Sequence, residues 1–491
     1  MSEGQPHISL CDSLTITLGG RLLLDDESLD VTPGTVTVLM GPSGVGKSVL
    51  AATLFGVAHG SDIKARGTIG EGPQRGALVF QDSAGIPHLS AARNLQLAGA
   101  SKAEAIKLCE EFGLEPQRPA WALSGGEGRR LATASALVAD RELLWLDEPA
   151  AGLDIVRMEQ LARELRKQAD ERNLAVVVTT HRLEFASAIA DRLLFLRFDG
   201  KLSELEIPPY ETSLGRGRST EEIERLIRVE MTESEQPEKT ESSSFQWRRP
   251  AWLDWAPELA RSAWGLRGAF SRGSVAWWKT LTRALKLGAV EGALFYPFVG
   301  AIFGGIFVLI FSLTLPFLDT VQVIEQFGPM VAVRLSPPFA AILVAARSGS
   351  AIGSWVGQMS ASRQFDTLEV LGISSVRSVT SAAWLGMITA GVVGIFTFAA
   401  ALMGVFGGYL LAEGGSAGTL FSSLWNEEGF AAALKAGLYS LLVASITIQT
   451  ARRPVQRPDE VASGITAAIV ISTVWVMVSE LVILGLELAG V

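Results

Sequence analysis

Gly41-Pro42-Ser43-Gly44-Val45-Gly46-Lys47-Ser48 is the stretch on which the reading of this chain turns. Before it runs Thr35-Val36-Thr37-Val38-Leu39-Met40, a β-branched apolar segment with the character of a buried strand. After it runs Val49-Leu50-Ala51-Ala52-Thr53-Leu54-Phe55, which reads as a helix. Strand, glycine-rich loop and helix form the context in which G-x-x-x-x-G-K-[ST] makes a phosphate cradle. Glycines let the backbone curl so that successive N–H groups meet one anion, with the helix N-terminus behind them. In such a cradle Lys47 reaches the terminal phosphates and the Ser48 hydroxyl ligates Mg²⁺. Gly41, Ser43, Gly44, Val45, Gly46, Lys47, Ser48 and Val49 are therefore the expected contacts to a nucleotide.

Outward from that loop the chain divides by composition. Its 491 residues are long enough for more than one domain. A mean hydropathy of +0.31 is high for a soluble protein, but the apolar residues are unevenly spread. Charged residues are frequent up to about residue 250, and long apolar runs dominate from Leu294 onward. A soluble domain followed by a membrane domain is expected. A formal charge of −9 argues against a broad nucleic-acid surface. Cys11 and Cys109, both in the soluble half, read as reduced thiols in a cytosolic compartment. The segment Met1-Ser2-Glu3-Gly4-Gln5-Pro6 lacks the basic and apolar regions of a signal peptide, so the soluble half is expected to stay in the cytoplasm.

Residues 8–31 alternate in short apolar and polar runs, as an antiparallel β layer does. Ala77-Leu78-Val79-Phe80 reads as a strand that runs out at Gln81. Ser124-Gly125-Gly126, just before a helical run, offers an N-cap and open N–H groups, making a second anion-binding helix start. Leu143-Leu144-Trp145-Leu146 delivers Asp147 and Glu148 at a strand end, and Asp154 lies in the turn that follows. Ala175-Val176-Val177-Val178-Thr179 delivers His181.

Taken in this order, these elements over roughly residues 7–205 resemble the nucleotide-binding domain of ABC transporters: phosphate loop, glutamine loop, signature, Asp-Glu strand end, aspartate turn and switch histidine. The resemblance implies an α/β P-loop ATPase domain that binds ATP and Mg²⁺. Asp147, with Ser48 and Gln81, attends the metal, while Glu148 polarises the attacking water. His181 contacts the γ-phosphate, and Gln81 also senses the transport domain. It further implies that Ser124, Gly125, Gly126 and Asp154 of one copy complete the site of another. With one copy of each motif, a homodimer is expected. Leu18 falls where that family usually stacks an aromatic ring on adenine.

The expected domain limits are 1–230 for the nucleotide-binding domain, 231–250 for a flexible linker, 251–290 for interfacial amphipathic helices and 291–491 for a transmembrane domain. Residues 232–244 are polar and low in complexity, as a tether is. Trp252, Trp255, Trp264, Trp277 and Trp278 alternate with Arg and Lys, which suits helices lying on an anionic inner leaflet. Residues 293–317 carry no charge and would span ~37 Å as a helix. Further crossings are expected at about 337–358, 380–411, 430–450 and 462–488, an all-α polytopic domain of five crossings. Arg363, Arg377, Arg452, Arg453 and Arg457 fall in the loops that would face inward. Glu413, Glu427 and Glu428 fall in an outward loop, which puts Val491 outside.

Ala345-Ala346-Arg347-Ser348-Gly349-Ser350-Ala351 and Gln364-Phe365-Asp366-Thr367-Leu368-Glu369-Val370-Leu371-Gly372-Ile373 resemble the permease family of bacterial maintenance-of-lipid-asymmetry systems. That resemblance implies ATP-driven movement of phospholipid or a similar lipid between a bacterial inner membrane and an MCE-type periplasmic carrier protein. The competing readings are an exporter of hydrophobic small molecules or peptides and a non-transporting membrane module switched by ATP. The helix bearing Asp366 and Glu369 is expected to plug into a groove of the nucleotide domain beside Gln81. Arg347 is expected near mid-membrane, facing the dimer cavity or a lipid headgroup, with a structural bond to backbone carbonyls as the competing reading, and Glu480 near the outer interface, reaching water.

Overall fold

The computed structural model describes residues 7–58, 62–81, 85–139, 141–207, 220–233, 255–270, 274–314, 319–454 and 458–489. The chain forms two units: Met1–Gln246 together with Ser362–Ser374, and Trp247–Ala361 together with Ser375–Val491. Most of the expected linker, and Trp252, lie outside the described residues.

The strands of the first unit are β1 (Ile8–Leu18), β2 (Arg21–Val31), β3 (Val36–Met40), β4 (Ile63–Ile69), β5 (Gly76–Val79), β6 (Leu143–Asp147), β7 (Ala175–Thr179), β8 (Arg192–Leu196) and β9 (Leu202–Leu205). Its helices before the membrane unit are α1 (Lys47–Leu54), α2 (Ala91–Ala98), α3 (Lys102–Glu111), α4 (Gly125–Val138), α5 (Ile155–Arg172), α6 (Leu183–Ile189) and α7 (Thr220–Glu233). An antiparallel sheet has the order β2-β1-β4, and a larger sheet the order β5-β6-β7-β3-β8-β9. In the larger sheet β5, β6, β7, β3 and β8 are parallel and only β9 runs back.

Parallel strands covered on both faces should be apolar throughout, and β3, β6 and β7 are buried at every position. Their alternation sorts the side chains between two cores. Val36, Val38, Leu144, Leu146, Val176 and Val178 face the core that contains α2 to α6. Leu39, Leu143, Trp145 and Val177 face the core shared with α1 and the antiparallel sheet. Each such fully buried side chain contributes about 1.5–3 kcal/mol. Because the five strands are parallel, their carboxyl ends share one edge, the edge where ligands bind in sheets of this kind.

The second unit is helical: α8 (Trp255–Gly265), α9 (Ser274–Leu285), α10 (Phe295–Thr314), α11 (Thr320–Pro329), α12 (Ser336–Val344) and α13 (Ser350–Ala361). After α14 (Gln364–Val370), which belongs to the first unit, it resumes with α15 (Ser381–Ala412), α16 (Gly418–Ser422), α17 (Glu427–Ala451) and α18 (Pro458–Ala489). Among the described residues, five helical runs are long and apolar enough to cross a membrane: Ser274–Leu313, Thr320–Ala361, Val376–Ala412, Glu427–Ala451 and Glu460–Leu488. The second begins well before the expected residue 337. Gln322, Glu325 and Arg334 depress the hydropathy of its first half. A wide π turn at Met330–Leu335 carries the helix from Pro329 to Pro337 and Pro338, and a second, Ala345–Gly349, follows α12.

Two side chains depart from expectation. Trp277 is protein core rather than interfacial, 3% exposed, and its indole donates to Ser381 Oγ at 2.9 Å. Glu480 finds partners inside the protein: it is ion-paired with Lys435 at 2.8 Å, with both side chains largely buried, and accepts the Tyr439 hydroxyl. A Glu and a Lys on neighbouring apolar helices satisfy each other more cheaply than either could alone. Arg347 donates to the Glu291 carbonyl at 3.3 Å.

Candidate nucleotide site

The phosphate loop joins the end of β3 to α1. Gly41, Gly44 and Gly46 have φ of 153°, 78° and 123°, angles that L side chains rarely adopt. At Gly41 a Cβ would also lie 2.6 Å from the Leu196 carbonyl oxygen, so the loop tolerates only glycine there. Val45 is buried in the core, while Ser43 and Ser48 are exposed at the loop surface and Val49 is half-buried. Lys47 folds back over its own loop and donates to the carbonyls of Gly41 at 2.7 Å and Pro42 at 3.1 Å. Burial lowers the affinity of its amine for a proton, and the nearby carboxylates of Glu148 and Asp147 oppose that shift.

Asp147 ends β6, and the Thr179 hydroxyl at the end of the adjacent β7 donates to its Oδ1. Glu148 follows with φ of 50°, a left-handed conformation for a non-glycine residue. Its N–H donates to the Thr179 carbonyl at 3.0 Å, the Thr180 hydroxyl reaches its Oε2 at 3.4 Å, and its Oε1 lies 2.8 Å from His181 Nδ1. The carboxylate is buried and the imidazole mostly exposed, with side-chain exposures of 11% and 61%. A buried acid tethered to an open histidine is an arrangement suited to handling a proton at the mouth of a site.

Ser124 caps α4 in a reciprocal box with Glu127: the Ser124 N–H and hydroxyl each donate to Glu127 Oε2 at 2.8 Å. Those hydrogen bonds, the backbone one foremost, hold the Glu127 carboxyl below the usual range. Among the described residues, nothing lies within 4 Å of where a Gly125 side chain would stand, so this helix start opens onto free space. Asp154 caps α5 by accepting the Arg157 N–H at 2.9 Å. Gln81 is exposed just beyond β5, and its carbonyl accepts from Arg129 Nε at 2.8 Å. The fold thus gathers the loop, Gln81, Asp147, Glu148 and His181 at one sheet edge, whereas Ser124 and Asp154 begin two separate helices.

Sequence reading missed the residues that hold this set. Thr179 and Thr180 orient the acids. Arg129 ties Gln81 to Ala151, and Arg182 donates to the carbonyls of Ala150 at 3.2 Å and Leu153 at 2.9 Å. Two threonines at a strand end before a histidine were the available signal. The arginines act on backbone carbonyls, which leave no mark in sequence. Among the described residues, no three His, Cys, Asp or Glu side chains form a metal cage. Mg²⁺ held chiefly by phosphates and water needs only one or two protein oxygens, so Ser48 and Asp147 are a fitting donor set.

On the same unit, α14 lies in a groove. Gln364, Thr367, Leu368, Leu371 and Ile373 meet Gly85, Ile86, Asn94, Leu97, Ala98, Ala132 and Ser135. Arg363 stacks over the Phe80 ring, 4.9 Å from its centroid, one residue before Gln81. The contacts lining the groove are apolar and amide side chains, with Asp366 half-buried and Glu369 exposed.

A family profile described as ABC transporter matches residues 24–151, and one described as Permease MlaE matches residues 282–486. The aliphatic sulfonates import ATP-binding protein SsuB 3 of Nocardia farcinica is 38% identical over 190 residues, covering 38% of this chain and 74% of that protein. This chain is an ABC transporter. The hemin import ATP-binding protein HmuV of Rhodococcus jostii is 38% identical, with 38% of the transporter and 70% of that protein covered. The taurine import ATP-binding protein TauB of Escherichia coli is 35% identical, with 36% and 75% covered. Among solved structures, the dimeric ADP- and phosphate-bound cassette MJ0796 is 25% identical with a TM-score of 0.35, covering 41% of the transporter and all of that chain. The transporter therefore joins an N-terminal ATP-binding ATPase to a C-terminal MlaE-type permease in one multi-pass polypeptide.

Proposed function

We propose that the transporter works as a homodimer in a bacterial inner membrane. There it uses ATP to move phospholipid or a similar lipid between that membrane and an MCE-type periplasmic carrier. The nucleotide domain is cytoplasmic in this reading and the C-terminus periplasmic. The Permease MlaE match and the apolar faces of the membrane helices support a lipid over a sugar or an ion. The observation that carries the coupling is α14: a segment from the permease half is built into the groove of the nucleotide unit, one strand end from Gln81.

In the proposed cycle the phosphate loop of one copy and the open α4 start of the other enclose one ATP. The free space at Gly125 supports this, because a backbone without side chains is what close approach of a phosphate requires. Lys47 exchanges its two loop carbonyls for phosphate oxygens. Glu148 orients and deprotonates the attacking water, and His181 meets the γ-phosphate. Asp154 of the partner closes the interface. Ser48, Asp147 and Gln81 would attend Mg²⁺, whose positive charge offsets that of the phosphates. Phosphoryl transfer needs mainly positioning and charge neutralisation, and these residue types supply both.

Reconstitution in phospholipid vesicles with a fluorescent phospholipid tests the reading. Wild type should move the lipid with ATP, and Glu148→Gln should bind ATP yet lower hydrolysis by about 10²–10⁴-fold and stop lipid movement. ATP-driven movement of hydrophobic drugs or peptides without lipid would favour the exporter. Activity that survives Glu148→Gln would favour an ATP-switched regulatory module.

A further inference from the structure

Within the membrane unit, one buried carboxylate sits apart from every site above. Glu258 on α8 is 1% exposed. Its Oε1 accepts from Ser262 Oγ at 3.1 Å and lies 3.5 Å from Arg452 Nη1, and its Oε2 lies 3.4 Å from Arg261. Arg452 ends α17, and its Nη2 donates to Ser375 Oγ at 3.3 Å. On the same turn, Ser360 Oγ donates to the carbonyls of Arg453 at 2.8 Å and Arg452 at 3.3 Å.

Ser360 and Ser375 flank the segment 362–374, which belongs to the nucleotide unit. Both roots of that segment are therefore fastened to one turn, Arg452-Arg453, and the turn is anchored by Glu258. A carboxylate is expensive to bury and is kept only where cations and donors satisfy it. Here Arg261 and Ser262 on its own helix satisfy part of it, and Arg452 is the partner that comes from another helix. Hydrogen bonds to ionised groups are also stronger and more directional than neutral ones, which suits a joint that must transmit movement without slack.

We infer that Glu258 and Arg452 form a brace that fixes the two roots of segment 362–374 together. Displacement of that segment then reaches α13, α15 and α17 as one body. Glu258 is a positioning residue for coupling and takes no part in hydrolysis. The inference rests on the transport reading above.

The full-length transporter in phospholipid vesicles tests it through the lipid moved per ATP hydrolysed, basal hydrolysis in detergent, melting temperature, and ATP-dependent hydrogen exchange in α15 and α17. In Glu258→Gln and Arg452→Gln, basal hydrolysis should stay near wild type while lipid per ATP falls roughly five- to tenfold. The exchange response of α15 and α17 to ATP should shrink with it. Glu258→Asp and the swap E258R/R452E should recover part of the ratio. Ser360→Ala and Ser375→Ala leave no buried charge unpaired, so they report even where the charge variants fail to fold, and they should lower the ratio in the same direction. An unchanged ratio in the serine variants, or a loss of hydrolysis and melting temperature with the ratio and exchange response intact, overturns the brace. A wild type that hydrolyses ATP but moves no lipid overturns the transport reading instead, and the exchange response alone then decides the brace.

Discussion

Glu148 holds a backbone conformation that costs a non-glycine residue about 1–3 kcal/mol. The bonds from its N–H to Thr179 and from Thr180 and His181 to its carboxylate keep it there. Glu148→Gly should therefore abolish hydrolysis without lowering the melting temperature, as phosphate release and thermal unfolding will show. The two cysteines behave alike. Burial pushes the Cys11 and Cys109 thiols up to about 11. A raised pKa keeps the neutral form as pH rises, so both should resist maleimide at pH 7.5 and react once the chain is denatured. At this scale the loop glycines, Lys47, Glu148 and His181 were legible because their types and spacing carry the chemistry. Thr179 was not, since a threonine in a strand reads first as a β-former.

Among the elements, α4 depends on its first turn. Ser124→Ala should cost about 1 kcal/mol, read from thermal unfolding, because the Glu127 N–H loses its acceptor and the carboxylate a donor. The Glu127 carboxyl titrates below its ordinary value, so its contribution is complete above pH ~4.3 and is lost as pH falls through the lower folded value. The Ser124-Gly125-Gly126 helix start located α4 in the sequence and the permease resemblance located α14, but attention fell on the wrong side of α14. Asp366 and Glu369 caught the eye because charge is conspicuous, whereas Thr367, Leu368 and Leu371 fill the groove. Leu368→Asp should leave nucleotide binding intact and sever hydrolysis from its dependence on lipid, measured by ATPase rates with and without phospholipid.

Across the whole molecule, the membrane half was the less legible part. Helices that are apolar all round do not announce which face meets lipid, and the partner of a lone charge lies on a helix far away in sequence. Lys435 and Glu480 show this: the sequence placed Glu480 near the outer interface reaching water and did not single out Lys435, yet together they close a largely buried pair. Lys435→Met should cost about 3–5 kcal/mol by stranding the acid, and the double variant with Glu480→Met should regain much of it, read from unfolding in lipid nanodiscs. The discontinuous first unit also has a consequence for biogenesis. Residues 362–374 leave the ribosome only after the chain has committed residues 247–361, most of them to the bilayer. Until then the nascent cassette carries an open apolar cleft around Ile86 and Leu97. A polypeptide stopped at residue 246 should be adhesive and short-lived, and supplying the missing helix as a peptide should quiet it.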